Sequence, residues 1–262
     1  MYKRQGYEGA EGGNTPTQNL VDAYEMKDGT PFDWNNPTHV ANMYYDASNK
    51  ETRDPRLYKN VLTNGSIWQK QKVEIFEGGK NKILDGSTKT GYYLRKYMNP
   101  SVSLDPDKPN KLYHHYVLFR YAEILLNYAE AMNEWKGPDA TAEGCPLTAR
   151  AALNQVRDCA DMKHVTENGA DFTAKVRNER RIELAFEGHR FYDIRRWKIA
   201  GLDEVRNIYG VKITKSGTSL SYEKVLLQQM YWNDKMYLFP YPQNEIYMNP
   251  DLGQNPGWSN GN

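Results

Sequence analysis

The stretch VRNERRIELAFEGHRFYDIRRW, Val176 to Trp197, decides how this chain is read. Taken as one helix from Lys175 to Trp197, with Gly188 as its kink point, it puts Ile182, Ala185, Phe186, His189, Tyr192 and Trp197 on one face. That is the spacing of an apolar stripe turned toward a core. Glu179, Asp193 and Arg196 fall inside the same stripe. Charges there need partners, and Asp193 and Arg196, three residues apart, reach each other on a continuous helix. The segment is therefore expected to hold an internal ionic clamp rather than an active site.

Two more helices are expected upstream. Leu147–Met162 carries Ala149, Ala152, Leu153, Val156, Cys159 and Ala160 on one face, small enough for close approach by a neighbour. The helix that begins near Tyr116 has Val117, Tyr121, Ile124, Leu125, Tyr128, Met132 and Trp135 on one side and Leu118, Ala122 and Leu126 on a second. A helix apolar on two sides is sandwiched between neighbours, as in an α-solenoid. Glu123, Glu130 and Glu134 lie on its solvated face.

Downstream, Ile199–Gly210 reads as a short amphipathic stretch, residues 211–230 give no clear period, and YLFPYPQNEIYMNPDLGQNPGW, Tyr237 to Trp258, reads as an extended strap. The first part of the chain is loop-rich. Residues 1–16 are loop, Thr17–Ala23 is a short helix signalled by Thr15-Pro16, and Met26–Asn49 is a long ordered loop. VLTNGSIW places Asn64-Gly65 between two short apolar runs, a hairpin signal, and Gly91–Met98 reads as a strand.

Composition narrows the function. With 262 residues the chain can bury a sizeable core, and a net charge of +1 with interspersed signs leaves no basic footprint for nucleic acid. No apolar run approaches the roughly 18 residues that span a bilayer. The outlier is aromatic content, 20 Tyr and 6 Trp. Such rings offer an apolar face with a polar edge, which suits sugars, although about two in three are expected in the core. Cys145 and Cys159 sit near opposite ends of the helix expected over 146–162, roughly 20 Å apart. That is too far for a disulfide. Cys159 is expected in the core and Cys145 in a loop.

Chemistry is hard to find. His114-His115 lacks further ligands at metal spacing, His189 reads as a satisfied core histidine, and Asp105, Asp107 and Asn110 resemble a calcium loop that Pro106 and Pro109 interrupt. No phosphate loop, nucleophile elbow or zinc-protease motif is present, so neither a catalytic residue nor a cofactor is expected.

The ERRIELAFEGHRFYDIRRW helix and the LFPYPQNEI and NPDLGQNPGW tail resemble the C-terminal half of the SusD/RagB family of outer-membrane nutrient-binding lipoproteins. NTPTQNLVDAYEMKDG (Asn14–Gly29), TRDPRLYKNVLTNGSIW (Thr52–Trp68) and LFRYAEILLNYAEAMNE (Leu118–Glu134) extend the match over nearly the whole chain. The resemblance implies a mainly α, tetratricopeptide-like superhelix with long loops and a few short β-hairpins, although Lys136–Cys145 is long for a repeat turn. One domain over 1–262 is expected, with a loop-rich part at 1–115, core helices at 116–200 and loop plus strap at 201–262.

MYKRQGYEGAEGG lacks a signal sequence. The chain is therefore expected to be the later part of a lipoprotein whose anchor lies outside it. The implied activity is non-catalytic capture of an oligosaccharide or peptide at the cell surface and its delivery to a SusC-like TonB-dependent transporter. Candidate ligand contacts are Trp34 with Asp33 and Asn36, then Trp68, and more weakly Trp232, because each aromatic sits among polar groups. The alternatives are a helical protein-interaction scaffold, which a contiguous exposed apolar face would favour, and a glycosidase, which needs two carboxylates in a cleft.

Overall fold

The first helices begin where the sequence supplies a cap. The computed structural model describes residues 13–83, 87–103, 107–113, 115–249 and 251–259. α1 (Gln18–Ala23) starts after Thr17, whose side chain accepts from the Leu20 N–H. α2 (Pro37–Ala41) follows Asn36 and α3 (Pro55–Asn60) follows Asp54. α2 and α3 both open with proline, at a position where the missing N–H is no loss.

Four short strands follow: β1 (Val61–Leu62), β2 (Ile67–Trp68), β3 (Gln71–Lys72) and β4 (Tyr93–Leu94). β1 pairs with β4 and β2 with β3. The expected hairpin around Asn64-Gly65 is thus corrected: a turn forms there, but it sends the flanking runs to different partners. Asn64 Oδ1 accepts from the Ile75 N–H at 2.9 Å, which fixes that turn to the next segment. The hairpin closes one step later, over Gln69 and Lys70, at φ 46° and 66°. Positive φ at both central residues is what a tight two-residue hairpin turn requires.

A first core gathers Val21, Tyr24, Met43, Tyr44, Leu57, Val61, Leu62, Tyr92 and Tyr93. Arg53 sits fully buried in it, with its guanidinium 4.1 Å from the Phe32 ring centroid. It donates to the Tyr24 carbonyl at 2.6 Å and the Val21 carbonyl at 2.8 Å, so one side chain ties α1 to the 26–49 loop. The order expected of that loop has its cause here.

The helical body is α4 (Tyr121–Lys136), α5 (Ala149–Cys159), α6 (Gly169–Glu183) and α7 (His189–Arg196). α4 packs on α5 and α6, burying Leu125, Leu126, Ala129 and Met132 with Ala152, Leu153, Val156, Phe172 and Val176 in a second core. The expectation of two buried faces fails in part: Val117, Tyr121, Ile124 and Trp135 of the first are exposed, as is Leu118 of the second, whereas Leu126 is buried and Ala122 packs on the same core. Glu130 departs too, since it accepts from Arg196 and from the Trp197 indole at 2.7 Å instead of facing water. Cys159 is exposed rather than buried, and both cysteines are free.

The opening segment is two helices, not one. Phe186 at φ 66° and Gly188 at φ 87° break it, and the break folds α7 back so that Arg180 meets Asp193 at 2.7 Å. On a continuous helix those residues, thirteen apart, would be separated by about 20 Å. Arg196 joins Asp193 at 3.0 Å, so the clamp forms with one more member than expected. Glu179, Glu183 and Glu187 extend it: Arg56 reaches Glu179 and Glu183, and Arg120 reaches Glu183 at 2.5 Å and Glu187 at 2.7 Å. The Arg56 pairs fasten the helical body to the loop-rich part, and the Arg120 pairs tie the residue before α4 to the end of α6 and the segment after it. Burial works to raise Glu183, but Arg56 and Arg120 outweigh it and hold the carboxyl below its ordinary value.

After α8 (Asp203–Arg206) the chain forms a long antiparallel hairpin, β5 (Asn207–Ser216) and β6 (Ser219–Gln229). It replaces the loop expected over this part of 201–262. Val211 and Ile213 alternate with exposed Lys212 and Thr214, enter the first core, and Gly217 turns the chain at φ 59°. A last helix, α9 (Gln243–Met248), interrupts the strap.

Candidate functional site

Trp34 is half-buried against the first core, its indole donating to Asp22 Oδ1 at 3.0 Å. Asp33 is exposed, with one oxygen accepting from the Asn35 N–H at 2.8 Å. The Asn36 side-chain oxygen caps α2, accepting from Thr38 and His39. Trp68 is 7% exposed and belongs to the first core, so its ring faces are not available to a ligand. Its neighbours Gln69 and Lys70 are polar, but they form the β2–β3 turn while the indole is buried. His189 is half-buried and has partners, Arg180 at 3.4 Å and Glu123 at 3.7 Å. His115 is exposed, whereas His114 and the Asp105 of the calcium-like run lie outside the described residues. Among the described residues no group of three His, Cys, Asp or Glu gathers as a metal site would require. No helix there is long and apolar enough to cross a membrane.

Trp232 leads to an arrangement that the sequence reading missed. On α7, Asp193 points inward to Arg180, which turns Phe191 and Tyr192 outward, with Arg195 half-buried beside them. The Arg195 guanidinium lies 3.5 Å from the Phe191 ring centroid and 5.4 Å from that of Trp232. Tyr192 meets Phe191 edge to face at 5.2 Å, Phe239 stacks on Phe191 at 6.0 Å, and Trp232 meets Tyr237 at 4.7 Å. The result is a ridge of aromatic rings held around one cation. Tyr192 is 65% and Phe239 63% exposed, although the helical wheel assigned Tyr192 to the core face. Burial pulls Arg195 below the usual arginine value.

The tail explains how Phe239 stays in place. Asn255 donates to the Phe239 carbonyl at 2.6 Å, Gln254 brackets Tyr241 through its N–H and carbonyl, and the Trp258 indole donates to Lys235 and Leu238 carbonyls. The GQNPGW run thus staples the strap that carries the ring. The available signal was the Phe191-Tyr192 pair opposite an inward Asp193; assuming an unbroken helix hid it.

Exposed flat rings beside a guanidinium suit a ligand with C–H faces and hydroxyl edges. The model of the SusD family matches residues 2–258 of this chain. A SusD-like protein of Bacteroides fragilis is 33% identical, with a TM-score of 0.69 over 93% of this chain and 47% of that one. A SusD-like carbohydrate binding protein of the same organism is 28% identical, with a TM-score of 0.68 over 96% of this chain and 50% of that one. SusD-like protein P25 of Formosa agariphila is 28% identical over 180 residues, 63% of this chain and 28% of that protein. The chain spans about half the length of the solved relatives.

Proposed function

We propose, for a chain that belongs to the SusD family, that it captures glycans without cleaving them, on the ridge formed by Phe191, Tyr192, Arg195, Trp232 and Phe239. The observation that carries this is the exposed stack of Tyr192, Phe191 and Phe239 around Arg195, held from below by the Asp193 clamp and from the side by the tail. Sugar rings pack their C–H faces on such surfaces while the guanidinium donates to hydroxyls. An open ridge buries little area, so single contacts are weak. Trp34 with the exposed Asp33 is a proposed second contact, with Asn36 holding its loop.

In the wider setting that the family suggests, the whole protein is a lipid-anchored component of the outer-membrane surface that hands its ligand to a SusC-like TonB-dependent transporter. The test is an array of polysaccharides and peptides probed with the purified chain, followed by chromatography of the bound glycan. Binding with the glycan recovered at its original length supports the reading. Shortened products would put a hydrolase in its place, and capture of peptides alone would change the ligand class.

A second reading, a scaffold that docks a protein, is favoured by one observation. Tyr116, Val117, Leu118, Phe119, Tyr121 and Ile124 follow one another exposed at the start of α4. Apolar surface of that kind suits a protein contact. The two readings use different surfaces and are compatible.

A further inference from the structure

α7 also borders a pocket of about 580 Å³, lined by α6, the end of α4 and the segment that leads into α8. Three arginines line it: Arg177 and Arg181, one helical turn apart on α6, and Arg190 at the start of α7. Their situation differs from that of Arg180 and Arg196 on the same helices. Arg180 and Arg196 are paired with carboxylates, whereas none of these three has a carboxylate within ion-pair distance among the described residues. Arg177 rests on the Trp197 ring, 5.1 Å from its centroid, and its Nε is buried without a hydrogen-bond partner. Arg181 donates to the Asn19 carbonyl at 2.7 Å.

The carboxylates in the lining are Glu134 and Glu204, and both are exposed. The guanidinium groups are half-buried, so positive charge lies deeper than negative. Burial, reinforced by the like charge of Arg190, pushes Arg181 down to about 10 against the pull of Asp22, Tyr24 and Glu204. Burial also lowers Arg190, against Asp193 and Glu204. Guanidinium groups desolvated together in this way are stabilised by any anion that enters, and planar forks match carboxylate and sulfate oxygens.

We infer that this pocket receives the anionic group, carboxylate or sulfate, of an acidic sugar whose neighbouring rings lie on the aromatic ridge. Arg190 and Phe191 are adjacent on α7, so one helix offers the cation and the ring to consecutive parts of one chain of sugars. The inference rests on the glycan reading and narrows its substrate class to acidic polysaccharides.

The test is calorimetric titration of the full chain with galacturonan, sulfated galactan and neutral galactan oligosaccharides of equal length, at low and high salt. The expected result is at least an about tenfold preference for one acidic arm, weakened by salt. The preference falls toward parity in Arg190→Gln and Arg177→Gln and is partly retained in Arg190→Lys. The uronate and sulfate arms separate the two sources of charge. Far-ultraviolet circular dichroism identifies folded variants, and either glutamine variant alone suffices. Equal binding of acidic and neutral arms overturns the inference and leaves glycan capture standing. An acidic preference that survives both glutamine variants also overturns it, as does no binding in any arm, which leaves glycan capture to be decided by the array.

Discussion

Arg157 on α5 and Glu179 on α6 meet at 2.8 Å with side chains only 3% and 1% exposed. The second Glu179 oxygen takes Arg56 in α3, and Arg157 continues to Glu25 at 2.8 Å. One carboxylate therefore joins the helical body to the loop-rich part through two guanidinium groups. Removing one member of such a set is costly, because the others stay buried with their charge uncompensated.

Glu179→Gln is accordingly expected to lower the unfolding free energy by about 3–5 kcal/mol, read from urea denaturation followed by circular dichroism. Glu134→Gln, on the exposed side of α4, stays within about 0.5 kcal/mol. Equal losses in the two variants contradict the clamp.

Acid should loosen the same junction. Glu183 and Glu187 are held below their ordinary value of 4.5, where burial opposes but the Arg56, Arg120 and Lys96 contacts prevail. A carboxyl lowered by folding contributes stability that is fully present above the unfolded value and is lost as pH falls through the folded one. Thermal melts should therefore be flat in this respect above pH 4.5 and fall below it. Glu183→Gln, which removes that titration, should show a shallower fall; an unchanged acid slope would contradict the assignment.

Gly91→Ala tests how the long hairpin docks. Gly91 has φ 84°, and a Cβ there would stand 2.5 Å from the Val211 carbonyl oxygen. Since neither atom has a flexible end to move, a loss of more than about 1 kcal/mol is expected. Gly217→Ala, where φ is 59° but the space is open, serves as the comparison for backbone strain alone.

The sequence exposed the helical body and the clamp because both rest on local spacing: α5 buries the face that its small residues marked, apart from Cys159, and Asp193 pairs with Arg196 at three residues' distance. What it hid depended on backbone reversals. Phe186 at φ 66° has no local requirement for that conformation, so the break between α6 and α7, and with it the outward turn of Tyr192, could not be read from periodicity. The β5–β6 hairpin was legible in principle, since Val211, Lys212, Ile213 and Thr214 alternate before Ser216-Gly217. It was obscured because β6 is exposed almost throughout and carries little pattern. Among the candidate contacts, Trp68 went astray for a related reason: polar neighbours describe a turn as well as they describe a binding loop.

Trp68→Ala should thus act on stability and not on recognition. Loss of a buried tryptophan is expected to cost about 3–5 kcal/mol, measured by denaturant unfolding, with any remaining folded protein binding glycan as before. A binding defect in a fully folded Trp68→Ala chain would return that residue to the site.

Ligand contact is assigned to the outward aromatic rings of α7 and the strap, and not to the inward clamp of Arg180 and Asp193. Its most direct test is calorimetric titration of wild type and a Tyr192→Ala/Phe239→Ala double variant with the oligosaccharide that an array selects. Both side chains are largely exposed, so the melting curve should stay where it is. An affinity lowered by at least about tenfold at that unchanged stability is expected; an unaltered affinity in the double variant would contradict ligand contact at the ridge.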